Sequence, residues 1–310
     1  MIRSILPYLC TAALLFGSCR KSMVDHTSTC TGPVADSSSL HPKAAIYTEI
    51  LNRYTKQGLP GISALIADEQ GVWTGAAGMA DIEKQIPFAP CTVNKLGSIT
   101  KMMFATAVFQ LADKGYINLD EPISAHLNKE VVKKVKNVAD VSLRDLLRHN
   151  TGIYDVITDA GFYLAVVNQP NKVWTAEELI QFVYDKPADF PAHSSVKYSN
   201  TNTLLASMVI DAIKPQGKDH AQWMRELVFE KIGMAHTYYH THEVLPRETA
   251  RGYFDLYQDG TLTDVSNMIT GSGHGFTGVY SNVYDIYRFM RALFVEGTLV
   301  SEASLQSMQQ

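Results

Sequence analysis

The chain has 310 residues, of which 46% are hydrophobic and 19% are charged, and this composition excludes a disordered chain. Lys and Arg number 27 against 31 Asp and Glu, so the formal net charge is −4. This charge, without a clustered run of Lys and Arg, argues against nucleic-acid binding. Four cysteines are too few for a disulfide-rich scaffold of this length. The composition therefore favours a globular domain of enzyme size.

The N-terminal residues predict export from the cytoplasm. A basic residue, Arg3, precedes an apolar run over residues 5–16, which is shorter than the roughly 20 residues of a membrane span. The sequence Leu-Phe-Gly-Ser before Cys19 resembles the cleavage box of a bacterial lipoprotein, although Phe16 is larger than the residue usual there. We predict a signal peptide over residues 1–18 and a lipid anchor on Cys19. Ordinary secretion with cleavage nearby is the alternative.

The next segment predicts a tether, followed by one folded domain. Residues 19–42 are rich in Ser and Thr and have no apolar period, whereas periodic patterns continue through residues 43–310. Both export routes lead to the periplasm or cell envelope of a bacterium, and a lipid anchor would hold the protein at the membrane. A disulfide between Cys30 and Cys91 is possible in that compartment.

The first elements of the domain are a helix and a β-hairpin. Residues 44–56 carry a helical stripe of Ile46, Ile50 and Leu51. Two short strands are predicted over residues 61–67 and 72–77, joined by a turn. These elements form the start of an α/β layer.

A long helical region follows the hairpin. Its predicted features are an amphipathic helix from Ser98 to Gly115, a helix capped by Ser142, a capping box of Thr175 and Glu178, buried helices over 204–213 and 223–229, and a helix capped by Asn282 with Ile286, Phe289, Met290, Leu293 and Phe294 on its apolar face. The order of elements predicts an α/β fold with an inserted helical lobe.

Ser98 and Lys101 form a Ser-x-x-Lys motif at the predicted start of a helix. Positions i and i+3 share a helix face, so the Lys101 amine would lie within reach of the Ser98 hydroxyl and could act as its base if burial lowers the lysine pKa. The unpaired backbone N–H of Ser98 could donate to an oxyanion. The same spacing occurs at Ser18/Lys21 and at Ser194/Lys197, so the spacing alone does not identify a site.

The surrounding segments identify the first of these motifs. Residues 96–102, 111–122 and 143–152, then Tyr198-Ser199-Asn200 and Ile232-Gly233-Met234, closely resemble the serine β-lactamase and penicillin-binding-protein-like family in sequence and in order. The resemblance is strongest to the class C branch, with its esterase and D-amino-acid peptidase relatives. It implies an antiparallel sheet flanked by helices with an inserted helical lobe.

Tyr-x-Asn, the family's second motif, occurs three times in this chain. Tyr116 lies in a predicted turn, and the motif at Tyr280 contains Asn282, which is predicted to cap a helix. Tyr198 follows a proline-containing loop and precedes a buried helix, as the resemblance requires. We therefore assign Tyr198 and Asn200 to the site.

The resemblance implies a role for each site residue and no cofactor or metal. Ser98 is acylated, Lys101 and Tyr198 share the proton, and Asn200 orients the substrate amide and helps hold Lys101. Which of Lys101 and Tyr198 takes the first proton stays open, because a phenol is a base here only if Lys101 lowers its pKa from about 10.

A third motif of the family, Lys-Thr-Gly or His-x-Gly on a strand downstream, is not found in context. The segment Gly273-His274-Gly275 matches His-x-Gly in composition, but it precedes the segment that leads to that strand. We therefore assign no catalytic role to His274. We therefore expect the C-terminal sheet strands to be missing and the chain to be a truncated member or a fragment with little activity. Loss of one oxyanion donor typically costs about 10²–10³ in rate.

The predicted activity is that of a serine hydrolase acting on a β-lactam, a D-amino-acid or peptidoglycan-derived peptide, or a small ester. The alternative is a non-catalytic exported lipoprotein that retains a ligand-binding groove. A cluster of His236, His240 and His242 could suggest a metal, with the last two on one strand face, but only Glu243 could add a carboxylate. We interpret this cluster as a loop.

Overall fold

The computed structural model describes residues 40–310. The predicted signal peptide, Cys19, the tether up to residue 39 and Cys30 lie outside the described residues. Cys91 is disulfide-bonded. No helix of the described residues is long and apolar enough to cross a membrane.

Helices are the commonest regular elements of the described residues. They are α1 (Ala44–Lys56), α2 (Ile99–Asp113), α3 (Lys129–Lys134), α4 (Leu143–Arg148), α5 (Ala160–Asn168), α6 (Ala176–Gln181), α7 (Asn200–Ile213), α8 (His220–Met224), α9 (Val283–Phe294) and α10 (Glu302–Met308). A π-helical segment, Arg225–Glu230, continues α8, and short 3-10 turns lie at Ile123–Ala125, Val138–Asp140, Val156–Thr158 and Pro215–Gly217.

The strands form three small antiparallel sheets within the described residues. They are β1 (Gly61–Asp68), β2 (Gly71–Asp81), β3 (Ile86–Pro87), β4 (Asn94–Lys95), β5 (Tyr238–Tyr239), β6 (Tyr253–Phe254), β7 (Thr263–Asp264) and β8 (Val279–Ser281). Their orders are β1-β2-β3, β4-β8-β5 and β6-β7. Together with the helices they confirm the predicted mixed α/β class.

The predicted hairpin is confirmed, with Asp68 pairing with Gly71 at its turn. The apolar stripe predicted for α1 is partly wrong, since Leu51 is buried but Ile46 and Ile50 are exposed. Tyr47 packs against Trp73 of β2 at 5.2 Å between ring centroids. Because α1 meets the sheet through Tyr47 and Leu51, its buried face is one residue away from the predicted stripe.

The helix after Ser98 is buried on nearly every side, so the prediction of an amphipathic α2 is wrong. Its core residues include Met103, Phe104, Val108 and Leu111. It packs against α8, the π-helical segment and α10, which leaves it little contact with solvent. Gly115 follows α2 with φ 71°, which confirms it as the residue that ends the helix in a left-handed conformation.

The helical lobe between α2 and β5 confirms most predicted caps. Ser142 with Asp145 and Thr175 with Glu178 form capping boxes at α4 and α6. The helix predicted from residue 204 begins earlier, at Asn200. Polar residues of its first turn are buried against neighbouring segments, which an apolar pattern does not reveal.

The last predicted cap is also confirmed, because the side chain of Asn282 accepts hydrogen bonds from the backbone N–H groups of Tyr284 and Asp285. The predicted apolar face of α9 is only partly buried. Phe289 lies in the core, whereas Met290 and Phe294 are exposed. The buried Asp285 carboxylate accepts hydrogen bonds from the segment before β5, which turns a polar position of α9 inward.

Candidate active site

Ser98 lies at the N-terminus of α2, immediately after β4. The β4-β8-β5 sheet holds this approach, because the Leu96 N–H donates to the Val279 carbonyl at 2.9 Å. Ser98 adopts φ −72° and its hydroxyl makes no capping bond to the helix. Among the described residues, its backbone N–H makes no hydrogen bond either. The exposed hydroxyl and this N–H are therefore both available to a ligand.

Lys101 lies one turn further along α2 and its amine contacts the serine. The Lys101 Nζ donates to Ser98 Oγ at 3.2 Å, to Asn200 Oδ1 at 2.7 Å and to the Phe276 carbonyl at 2.9 Å. Three elements distant in sequence thus hold one amine beside one hydroxyl.

Tyr198 completes the group from the loop before α7. Its Oη lies 2.7 Å from Ser98 Oγ, and Lys101 Nζ lies 4.7 Å from the centroid of its ring. The structure therefore brings together the four residues that the sequence assigned to the site: Ser98, Lys101, Tyr198 and Asn200.

Burial tunes the lysine for proton transfer. Loss of solvent lowers the pKa of Lys101 to about 8, while the negative charge of Asp155 acts in the opposite direction. At this pKa a substantial fraction of the amine is neutral near pH 8, and a neutral amine can accept a proton from the serine.

The pKa of the Tyr198 phenol is shifted in the opposite direction from that of Lys101. Burial raises its pKa above the usual value of 10, and Asp155 adds to this effect, although the hydrogen bond with Ser98 opposes it. The condition that a tyrosine base would require, a lowered phenol pKa, is therefore not met. These directions favour Lys101 as the first proton acceptor.

His149, which the sequence reasoning did not assign, supports the tyrosine. Its ring lies 4.8 Å from the Tyr198 ring, and its Nδ1 accepts from the Ser199 N–H at 3.3 Å and from Asn202 Nδ2 at 3.0 Å. Burial, and secondarily the charge of Lys101, lower the pKa of His149 to about 4. At neutral pH an uncharged imidazole ring therefore packs against the Tyr198 ring.

Asp155 is the second residue that the sequence reasoning missed. It is 7% exposed and accepts hydrogen bonds from Asn200, which in turn contacts Lys101. Asn200 itself is 3% exposed, with its side-chain carbonyl toward Lys101 and its amino group toward Asp155. Its contact with a substrate stays a prediction. Asp155 belongs to neither the Ser-x-x-Lys nor the Tyr-x-Asn motif, so motif spacing could not identify it.

The competing motifs lie elsewhere. Ser194 donates to the Pro191 carbonyl in a loop, and Lys197 pairs with Asp189. Tyr280 is in β8, in the segment that leads to the Asn282 cap. These contacts agree with the choice of the motifs at Ser98 and Tyr198.

The histidines outside the site have structural contacts. The His274 Nε2 lies 2.7 Å from the Trp174 carbonyl. His240 and His242 follow the end of β5, so the expectation that they share a strand face is wrong. Glu243 pairs with Arg225. In residues 40–310 no group of three or more His, Cys, Asp or Glu side chains could hold a metal ion.

The mixed α/β fold, with a Ser-x-x-Lys helix facing a Tyr-x-Asn loop, defines the class of β-lactamase and transpeptidase-like proteins. A family model described as Beta-lactamase matches residues 45–310. The chain belongs to this family.

Solved structures of two hydrolases share the fold. A D-stereospecific amidohydrolase from a Streptomyces species is 26% identical with a TM-score of 0.75, and the match covers 86% of this chain and 76% of that one. The D-amino acid amidase of Ochrobactrum anthropi SV3 is 27% identical with a TM-score of 0.71, covering 83% of this chain and 71% of the other.

A curated relative is PbpX of Bacillus subtilis, a protein named for the penicillin-binding proteins. It is 26% identical over 269 residues, which are 83% of this chain and 61% of PbpX. The chain thus spans less than two thirds of that relative.

Proposed function

We propose that this protein is a serine hydrolase that forms an acyl-enzyme on Ser98. The observation that carries the proposal is the pair of contacts at the serine oxygen, with Tyr198 Oη at 2.7 Å and Lys101 Nζ at 3.2 Å. An amine of lowered pKa beside an exposed hydroxyl is the arrangement that activates a serine nucleophile.

The proposed acylation moves one proton in a cycle. Neutral Lys101 takes the proton of Ser98 as Oγ bonds to the substrate carbonyl carbon, and the resulting oxyanion accepts from the Ser98 N–H. Collapse of the tetrahedral intermediate breaks the bond to the leaving group. The leaving group receives a proton from Tyr198, and the phenolate then takes back a proton from the Lys101 ammonium, so that both groups return to their starting forms.

Deacylation reverses these roles with water as the nucleophile. Lys101 accepts a proton from water as the water oxygen bonds to the acyl carbon. Ser98 then leaves and recovers a proton, so that acid and free enzyme result.

Among the substrates compatible with this chemistry, we propose amides or short peptides of D-amino acids. The support is the likeness to an amidase and an amidohydrolase that are named for D-amino acids or D-stereospecificity. β-Lactams and small esters also contain a carbonyl carbon that a serine can attack, so they serve as probes of the site.

Covalent labelling tests the acyl-enzyme. A fluorescent penicillin and a fluorophosphonate would be incubated with the protein, and the modified peptide located by mass spectrometry. We expect label on Ser98 that is lost in Ser98→Ala and retained in Ser194→Ala, which removes the serine of the other described Ser-x-x-Lys sequence. Release of ammonia from D-phenylalanine amide but not from its L enantiomer would support the substrate class.

The alternative, a non-catalytic lipoprotein with a binding groove, predicts a different result. It requires reversible binding of a D-amino-acid amide without label on Ser98 from either probe. Such a result in folded protein would contradict the acyl-enzyme.

A further inference from the structure

We propose that Asp155 is a positioning residue of this site, whose carboxylate fixes the side chain of Asn200 so that the Asn200 carbonyl faces the Lys101 amine. As a role in catalysis it rests on the proposed function, while the geometry itself is independent of the substrate.

The contacts between Asp155 and Asn200 allow only one orientation of the amide. The Asn200 Nδ2 donates to both carboxylate oxygens of Asp155, at 3.2 Å and 3.0 Å, and the Asn200 backbone N–H donates to Oδ1 at 3.0 Å. A carboxylate only accepts, so a flipped amide would set oxygen against oxygen. Asp155 therefore directs Asn200 Oδ1 toward Lys101 Nζ, where it accepts at 2.7 Å.

Asp155 is itself held in place by the turn that it begins. Its carboxylate also accepts from the Ile157 N–H at 3.3 Å, and its carbonyl accepts from the Thr158 hydroxyl at 2.7 Å. Thr201, next to Asn200, accepts from the Val156 N–H at 2.9 Å and donates to the Tyr154 carbonyl at 2.7 Å. These bonds join the segment of Asp155 to the first turn of α7.

The charge of Asp155 acts on the lysine as well. Two further titratable groups beside Lys101 are His149 and Tyr198, and their lowered and raised pKa values leave both neutral near pH 7. Arg144 and Arg148 line a cavity together with Lys101 and carry positive charge. The negative charge of Asp155 raises the pKa of Lys101 against the larger effect of burial. Removing that charge would therefore lower the lysine pKa further.

Two variants of Asp155 separate charge from geometry. Asp155→Asn keeps the size of the side chain but removes its charge and one acceptor, whereas Asp155→Glu keeps the charge and displaces it. Asp159→Asn is the matched control, because Asp159 is also buried in this segment but caps α5 and pairs with Lys186.

Two readouts are measured on each folded variant. One is the rate of Ser98 labelling by the fluorescent penicillin between pH 6 and 10. The other is the pH midpoint of Lys101 acetylation by trace acetic anhydride, followed by mass spectrometry with the exposed Lys214 as reference. The second readout does not need an active serine.

For Asp155→Asn we expect labelling to slow by up to about 10²-fold, and both midpoints to move to lower pH by up to about one unit. Asp155→Glu should slow labelling but keep the wild-type midpoint, and Asp159→Asn should change neither. A lysine midpoint in Asp155→Asn that is unchanged or higher would overturn the proposal. If the wild type is never labelled, the proposed function fails, and the acetylation midpoint still decides the role of Asp155.

Discussion

Lys101 shows how burial and hydrogen bonding share the control of one amine. Removal of solvent favours the neutral form, while acceptors at Asn200 and Phe276 and the charge of Asp155 favour the ammonium form. The first effect is larger, and the pKa settles at about 8. A lysine so placed can exchange a proton with Ser98 near neutral pH.

The pH dependence of acylation follows from this pKa. Because only neutral Lys101 can accept the serine proton, we expect the labelling rate to fall about tenfold per pH unit below 8 and to level off above it. The measurement is the rate of Ser98 labelling by fluorescent penicillin between about pH 5.5 and 9.5, with the folded state checked at each pH.

The control for this profile is Lys101→Met, which should lower the labelling rate by about 10²–10⁴. A labelling rate that still rises about tenfold per pH unit at the upper end of this range, without levelling off, would instead identify the Tyr198 phenolate as the base and contradict this assignment.

At the scale of elements, the glycine-rich segment before β8 controls the position of the Phe276 carbonyl. Gly275 has φ 78°, and a Cβ there would lie 2.9 Å from Thr203 Cγ2 and 3.0 Å from the Thr203 carbonyl oxygen of α7. Its N–H also donates to Tyr239 Oη at 2.7 Å. The close approach of this segment to α7 therefore requires glycine.

We expect Gly275→Ala to destabilise the fold by about 2–4 kcal/mol, from left-handed backbone strain and the clash with α7 together. It should also slow Ser98 labelling, because Phe276 would shift away from Lys101. Chemical denaturation and labelling kinetics measure the two effects.

Gly297→Ala is the matched control, since Gly297 has φ 62° but nothing lies within 4 Å of the added Cβ. The free energy of unfolding of Gly297→Ala should be only about 1 kcal/mol lower than that of the wild type, and its Ser98 should be labelled at the wild-type rate. Equal losses in the two variants would show that contact with α7 is not what restricts Gly275.

At the scale of the whole molecule, the folded domain is one part of a chain whose N-terminal residues carry an export pattern. We propose that the protein is exported and attached to the cell envelope through a lipid on Cys19. A domain with an exposed Ser98 would then meet substrates outside the cytoplasm, where peptides that contain D-amino acids occur in bacterial cell walls.

Metabolic labelling tests this proposal. In a bacterial host grown with radioactive palmitate, the full chain should incorporate label and sediment with membranes, and Cys19→Ser should lose both properties. Cys10→Ser, which changes another cysteine of the same region, should keep them. Label that persists in Cys19→Ser would contradict the assignment of the anchor.

The sequence by itself determined the class of fold and the helix and hairpin at its start, and it predicted the candidate site of Ser98, Lys101, Tyr198 and Asn200. The helix and the hairpin rest on local periodicity and turn residues, whereas the four residues rest on the resemblance of several segments, in their order along the chain, to a known family. The same signals placed α1's bounds correctly, while the burial of Ile46 and Ile50 was predicted wrongly, because periodicity does not show which neighbour covers a helix face.

Only the tertiary structure decided how the residues of the candidate site are arranged and which proton acceptor they favour. The Lys101 amine is buried and contacts the distant Phe276 carbonyl, and the proposed role of Asp155 depends on a contact with Asn200 across 45 residues of sequence. The proposal of Lys101 rather than Tyr198 as the base likewise rests on the opposite directions of their pKa shifts. Desolvation and hydrogen-bond geometry are properties of the packed chain, and no residue pattern encodes them locally.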